Sequence, residues 1–261
     1  MSSENVKMIK NLIVIALLFL AVGFIYWSVN KRAATLSEGL EIVIDKMMSG
    51  RDLLTVGDVQ KIIQRSFVYN LVEEKVPLSK LDVRAIERVL EDEPFVLDAE
   101  VFIDAQNQLY VHIQQREPIY RIIDVNNENY YMDKTGKQMP MSAHSTARVI
   151  VATGEIPPYT PDFKKPEKKH FLNDLNELIY KIRHDDFLHA QVEQIYVNQY
   201  KEFTLIPKVG KQKILLGKYE DIDDKLQRLK LFYEEGMSRE GWNKYKTINL
   251  KYRKQIVCKK R

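Results

Sequence analysis

The order of apolar and polar side chains divides the chain into three parts. Residues 12–29 read LIVIALLFLAVGFIYWSV, a stretch of eighteen without a charge. A helix of that length covers roughly 27 Å, close to the hydrocarbon thickness of a bilayer. Leu12, Leu17, Leu18 and Phe19 belong to its body, and Tyr26 and Trp27 mark its far end, where amphipathic rings favour the headgroup zone. A cleaved signal peptide has a shorter apolar run and small residues at the cut; neither fits here, so the segment reads as a retained anchor. Lys7 and Lys10 precede it and Lys31 and Arg32 follow it, a near-even count that does not orient it. Residues 1–11 form a short tail and residues 30–39 a polar link.

After the link the period changes. Residues 40–44 are brief and β-branched, which predicts a strand. Thr55 and Asp58 have capping-box spacing, with Asp in place of the usual Glu or Gln, ahead of Val59, Ile62 and Ile63 at helical spacing. Leu81, Val83, Ile86, Val89 and Leu90 share one face of a second helix, which starts after Ser79 or Asp82 and stops before Pro94. Residues 95–103 and 109–113 read as strands joined by a hairpin turn. The order β-α-α-β-β over residues 40–116 describes a small α+β unit with two helices on one face of a sheet.

Residues 117–258 predict a second, mostly β domain with two helices. Asp133-Lys134-Thr135-Gly136 has turn chemistry, and residues 147–152 form a strand closed by Thr153 and Gly154. Leu172, Leu175, Leu178, Ile179 and Ile182 make a helix face that follows Asn173 or an earlier cap. Strands follow at 195–197, 203–206 and 213–216, then a helix through Leu226, Leu229, Leu231 and Phe232 that ends near Gly236. The chain closes on KTINLKYRKQIVCKKR, where Ile248, Leu250, Tyr252, Ile256 and Cys258 alternate with polar residues. That pattern suits a half-buried terminal strand with Ile248, Leu250 and Tyr252 on the core and Asn249, Lys251 and Arg253 facing outward. Arg253-Lys254-Gln255 interrupts the alternation; a bulge and a tight turn both fit, so the path of Ile256, Val257 and Cys258 stays open. Residues 259–261 read as a basic tail.

Charge sharpens interest in this end. Residues 244–261 carry eight positive side chains and no acid, while the whole chain is only +4, so the rest is a net −4. A nucleic-acid binder usually shows a basic stripe across its whole domain, and this chain does not. The single cysteine, Cys258, allows no internal disulfide, and no Cys/His spacing resembles a zinc site. His184 and His189, near Asp185 and Asp186, are five residues apart, which does not place both on one helical face; a solvated turn is the plainer reading. His112 reads as a satisfied surface or interface residue on its strand. The acid pairs Asp223-Asp224 and Glu234-Glu235 are expected to face solvent, and the basic run at 164–169 to form an exposed loop. Gly236 to Gly241 misses a nucleophile-elbow spacing by one residue, and Lys134 to Lys137 lacks the upstream glycine of a phosphate loop. No catalytic, metal or cofactor residue is nominated, and neither a nucleic acid nor a small-molecule substrate is expected.

The motifs in order resemble a known family. Glu93-Pro94-Phe95-Val96-Leu97-Asp98-Ala99-Glu100-Val101 and Leu109-Tyr110-Val111-His112-Ile113-Gln114-Gln115-Arg116-Glu117-Pro118-Ile119 are similar to the POTRA domain of bacterial cell-division proteins of the FtsQ/DivIB family. Pro118-Ile119-Tyr120-Arg121, Tyr130-Tyr131-Met132-Asp133-Lys134-Thr135-Gly136 and Met139-Pro140 continue the likeness, in the form found in Bacteroidetes-like members. The resemblance implies a non-catalytic, single-pass protein of the inner membrane at the division septum, with a cytoplasmic N-terminus and both domains on the far side. It also implies recruitment and regulation of septal wall-synthesis partners, chiefly FtsB/FtsL-type single-pass proteins. The partner adds a strand at the last β-edge of the second domain, which assigns partner contact to Ile248, Asn249, Leu250, Lys251, Tyr252, Arg253, Gln255, Ile256 and Val257. Family members carry a basic residue followed by tyrosine here, matched by Lys251-Tyr252. The POTRA-like unit would assist localisation. POTRA-like units also serve protein transport and envelope assembly, the alternative reading; those proteins carry repeated units or a barrel, whereas one unit is legible here. A lipid or nucleic-acid role for the basic end would show steep salt dependence.

Overall fold

The computed structural model describes every residue except 1–2, 48–49, 69–70, 72–73, 166–169, 238–240 and 242–243, together with all side chains outside these and residues 3–12 and 32–33. The anchor lies in helix α1 (Ser3–Ala34). Within it, Ile13–Lys31 is long and apolar enough to cross a bilayer, with a mean hydropathy of 2.2 and no burial against the rest of the chain. Leu17, Leu18, Phe19, Tyr26 and Trp27 are all exposed, as a lipid-facing surface requires, while the side chain of Leu12 lies outside the described residues. Lys31 stands 5.1 Å from the centre of the Trp27 ring, so the charge and the interfacial aromatic sit together. One apolar N-terminal helix of this kind fits a single-pass anchor.

The chain beyond it folds as two compact bodies, residues 54–115 joining the N-terminal segment up to Asp45, and residues 46–53 joining 116–261. In the first body, β1 (Gly39–Ile44), β2 (Val96–Ile103) and β3 (Gln108–Gln115) form a sheet of order β1-β3-β2. β1 runs parallel to β3, pairing Ile42 with Val111, and β2 is its antiparallel hairpin partner, pairing Val101 with Val111. The hairpin closes because the Asp104 carboxylate accepts from Gln106 and Gln108 N–H at 2.9 and 2.8 Å, while Asn107 takes a positive φ that Asn tolerates. Helices α2 (Val56–Ser66) and α3 (Val83–Glu91) cover one face. The capping box is formed: Thr55 Oγ1 accepts from Asp58 N–H, and Asp58 accepts from Thr55 N–H at 2.9 Å. Asp82 caps α3. Val59, Ile63, Ile86 and Leu90 are buried against Val101, Val111 and Ile113; each such aliphatic is worth roughly 1.5–3 kcal/mol. His112 pairs with Asp45 at 2.8 Å on the open face of the strand.

Among the described residues the second body is a nine-stranded sheet with helices. Its strands are β4 (Pro118–Ile123), β5 (Asn129–Asp133), β6 (Gln138–Met139), β7 (Ile150–Gly154), β8 (Val192–Val197), β9 (Phe203–Pro207), β10 (Lys213–Gly217), β11 (Tyr245–Asn249) and β12 (Val257–Lys260). The order is β12-β11-β10-β9-β8-β7-β4-β5-β6. The two expected helices are α4 (Phe171–His184) and α6 (Ile222–Leu231). Their apolar faces, Leu172, Leu175, Leu178, Ile179 and Ile182 on one and Ile222, Leu226 and Leu229 on the other, share a core with alternate residues of the central strands. Shorter helical pieces join them: a 3-10 turn at Pro161–Lys164, α5 (Asp186–Gln191) and a π-helical turn at Phe232–Met237.

One expectation is corrected here. Residues 184–189 are not a solvated turn. Asp185 accepts from Leu188 N–H at 3.0 Å and so starts α5; that bond, with one from Lys230, holds its carboxyl below the ordinary carboxylate range. The acids of α6 face solvent as expected and form ion pairs there: Asp223 pairs with Lys181 at 2.6 Å and Asp224 with Arg228 at 2.9 Å. Of the basic run at 164–169, Lys164 ends the 3-10 turn and Lys165 pairs with Asp162 at 2.8 Å; residues 166–169 lie outside the described residues, as do 238–240 of the glycine-flanked motif. Residues 46–53 pack with the second body through Leu53, which is buried and whose carbonyl accepts from Ser142 at 2.7 Å.

Candidate partner edge of the sheet

The closing residues build a hairpin rather than one strand. β11 lies parallel to β10, with Ile248 beside Ile214, and both side chains are fully buried. Leu250 N–H donates to Leu215 C=O at 2.9 Å and Leu250 is also fully buried, so the core grips the chain as far as this residue. There the chain leaves the sheet, turns through Lys254 at a φ of 56°, and returns as β12, with Cys258 beside Ile248 and Val257 beside Asn249. Tyr252, expected on the core, stands in the turn at 51% exposure. The alternation that suggested one strand is broken by seven residues outside the ladder, and the tight turn is the alternative that holds. Lys259 and Lys260, read as a tail, lie in β12.

The turn is held from outside itself. Arg228 of α6 donates to the carbonyls of Tyr252 at 3.1 Å and Gln255 at 2.6 Å, with a longer contact to Leu250 C=O at 3.4 Å, and its Nε bonds Asp224. A planar guanidinium suits several carbonyls at once. Lys251 pairs with Glu202 at 2.6 Å, a bond that leads in keeping the Glu202 carboxyl below its ordinary value, and Arg253 pairs with Asp221 at 3.1 Å. Both cations among the assigned contact residues are therefore engaged within the chain. Asn249 Oδ1 accepts from Lys251 N–H at 3.0 Å, fixing the exit of β11.

β12 bounds the sheet, and a strand at an edge presents a row of peptide groups without a ladder partner. The opposite edge, β6, has only two residues. Along β12, Cys258 packs on the core, where burial pushes its thiol up, and Ile256 packs there just before it. Val257 is 46% exposed on the other face, and Lys259 follows on that face by the two-residue period. Lys246, Lys259, Lys260 and Arg261 are exposed, with no ion-pair partner among the described residues. Arg228, Glu202 and Asp221 escape sequence reasoning. The spacing of Asp224 and Arg228 signals a helix pair, but nothing local signals the turn that Arg228 holds.

The remaining polar side chains do not converge. Among the described residues no three His, Cys, Asp or Glu side chains are placed to share a metal. His170 caps α4 by accepting from Leu172 N–H at 3.2 Å, His184 bonds the Tyr180 carbonyl at 2.8 Å, and burial, Arg183 and Lys208 push His189 below its ordinary value. A groove of about 910 Å³ between α4 and α6 is bridged by the ion pairs Lys181–Asp223 and Lys230–Asp185.

Compared with known proteins, residues 35–114 match the POTRA-like domain and residues 117–259 match the family described as FtsQ/DivIB, C-terminal related. No curated protein matches the chain. The second match spans more than half of the 261 residues and ends inside β12. By that match the chain belongs to the FtsQ/DivIB, C-terminal related family, with a POTRA-like domain ahead of the matched region.

Proposed function

We propose that this protein is a non-catalytic, membrane-anchored scaffold of the cell-division machinery, which recruits and regulates septal wall-synthesis partners by accepting a strand at β12. The partners are FtsB/FtsL-type single-pass proteins. The chain sits in the inner membrane at the septum, with its N-terminus in the cytoplasm and both folded bodies beyond the membrane. The observation that carries the reading is the edge itself: four residues in ladder conformation, pinned through Arg228 and bordered by no further strand among the described residues. In strand addition, main-chain hydrogen bonds supply affinity and alternate side chains supply specificity. Of the assigned contact residues, Ile248 and Leu250 hold the edge from the core, Asn249, Lys251, Arg253 and Gln255 shape the turn, and Tyr252, Ile256 and Val257 border the added strand.

A photo-crosslinking residue placed at Val257 tests this in cells, with the same residue at Gln138 of β6 as control. Covalent capture of an FtsB/FtsL-type protein at 257 and not at 138 is expected. Equal capture at both positions, or none at 257, overturns the reading; so does normal septation in cells depleted of the protein.

A further inference from the structure

Strand addition at β12 leaves open what the added strand must contain. The register answers this, resting on the reading above. Cross-strand neighbours in a sheet share a face, so each residue of an incoming strand meets the β12 residue beside it. On the face that carries Val257, the same row holds Asn249 and Leu215, and the next row holds Lys259, Thr247 and Lys213. On the helix-covered face, Cys258 continues the core and Lys260 lies one period on. Read along the edge, the offered surface is apolar at two successive positions and cationic at the next two. Lys213 lies two strand spacings from Lys259, about 10 Å, within the reach of charge in physiological salt. Of the other cations of the turn, Lys251 and Arg253 are already neutralised by Glu202 and Asp221, and Lys254 is exposed at its tip, off the ladder. The uncompensated charge on the ladder itself is thus concentrated at its β12 end.

We infer that the partner segment is an extended peptide with two adjacent apolar residues next to two adjacent acids, the apolar pair lying along Val257 and Cys258 and the acids along Lys259 and Lys260. The acids sit on opposite faces of the added strand, one toward the row of Lys213 and the other toward the helix-covered side. A continuous acidic tract would waste the apolar half of the edge, and an apolar strand would leave both lysines desolvated beside it. The pattern selects by both halves at once.

The test uses the full chain in detergent micelles with synthetic twelve-residue peptides. One peptide carries two β-branched residues followed by two glutamates, a second carries the reverse order to allow either strand direction, and controls carry lysines in place of the glutamates. Amide exchange at residues 257–260 reports strand addition and fluorescence anisotropy reports affinity. At low salt the better acidic peptide should protect these amides and bind about tenfold tighter than its lysine control. The preference should invert in the Lys259→Glu, Lys260→Glu double variant and shrink as salt rises. Protection by acidic and basic peptides alike, in both proteins, overturns the charge pattern and leaves strand addition standing. Acid-dependent binding without protection at 257–260 overturns it too, placing the charge contact elsewhere. If no peptide protects the edge of a protein whose other amides are unchanged, the inference and the reading beneath it both fall.

Discussion

Replacing Arg228 with methionine should loosen the hairpin that carries β12 while leaving the helix beneath it packed. The guanidinium makes two well-formed bonds to turn carbonyls, at 3.1 and 2.6 Å, one marginal contact at 3.4 Å, and an i,i+4 pair with Asp224. That pair, with Asp224 exposed, is worth about 0.3–0.5 kcal/mol. Each carbonyl bond contributes about 1 kcal/mol, since the acceptors lie where water can replace the arginine. Methionine retains the apolar stem, so packing of α6 is largely kept. The loss is then about 2–3 kcal/mol, concentrated in residues 250–260. By the tenfold-per-1.36 kcal/mol conversion this accelerates exchange of their protected amides by roughly 30- to 160-fold. Lysine at 228 should fall between the two, because a single ammonium cannot span the separated carbonyls. Hydrogen exchange read by mass spectrometry on the full chain in micelles resolves this segment from the rest of the sheet. Exchange within threefold of the parent in residues 250–260 would refute the claim that Arg228 preorganises the edge.

Two further outcomes follow from buried contacts in the second body. Asp133 is buried and paired with Arg116 at 2.7 Å; burial pushes its carboxyl up, but bonds from Arg116, Thr135 and Lys137 outweigh this and hold it below the ordinary value. Its stabilisation is therefore complete above the unfolded-state pKa near 3.9 and is lost as pH falls through the depressed folded value. Asp133→Asn should cost about 3 kcal/mol near neutrality, by removing the charge that the buried Arg116 pairs with, and flatten the acid limb of a urea-midpoint-against-pH curve; an unchanged limb would sink this account. Gly154 has φ +101°, and a Cβ there would lie 2.1 Å from the Val197 carbonyl oxygen in the neighbouring strand. Gly154→Ala must part β7 from β8 or bend both, so a loss above about 3 kcal/mol is expected, and a melting temperature within 2 °C of the parent would contradict it.

Where one element's residues determine that element, the sequence was legible. Thr55 and Asp58 make the capping box their spacing advertises, and Asp104 to Gln108 carries the chemistry of the hairpin turn it forms. The face of α4 followed from period alone, whereas on α6 Leu226 and Leu229 are buried but Leu231, grouped with them, is exposed. The site was only half legible. Its place at the last strand could be read, but the hairpin depends on Lys254 adopting positive φ without being glycine, and on Arg228 arriving from another helix. Lys251 and Arg253 looked available because Glu202 and Asp221 lie 49 and 32 residues away in sequence. Residues 46–53 joined the second body through hydroxyl bonds from Ser142 and Ser145, which no periodicity encodes. Apart from the backbone of Lys254, what pattern misses in each case is a polar contact across a large sequence separation.

The same lysines that would select a partner also bear on why the edge is tolerable when empty. A free strand edge invites pairing with the edge of another copy, and two copies of β12 would meet antiparallel through a four-residue ladder. In that ladder Lys259 stands opposite Cys258 of the other copy and Lys260 opposite Val257, so each lysine is set against an apolar side chain. Desolvating a lysine with no opposite charge beside it is unfavourable, and four such lysines weigh against the little that a short exposed ladder of hydrogen bonds returns. A segment that sets acids beside those lysines supplies the missing counter-charge while keeping the same main-chain bonds. The edge is thus biased against itself and toward an oppositely charged strand by a single set of side chains. β6 needs no such device, because two residues offer too little ladder for any strand to join.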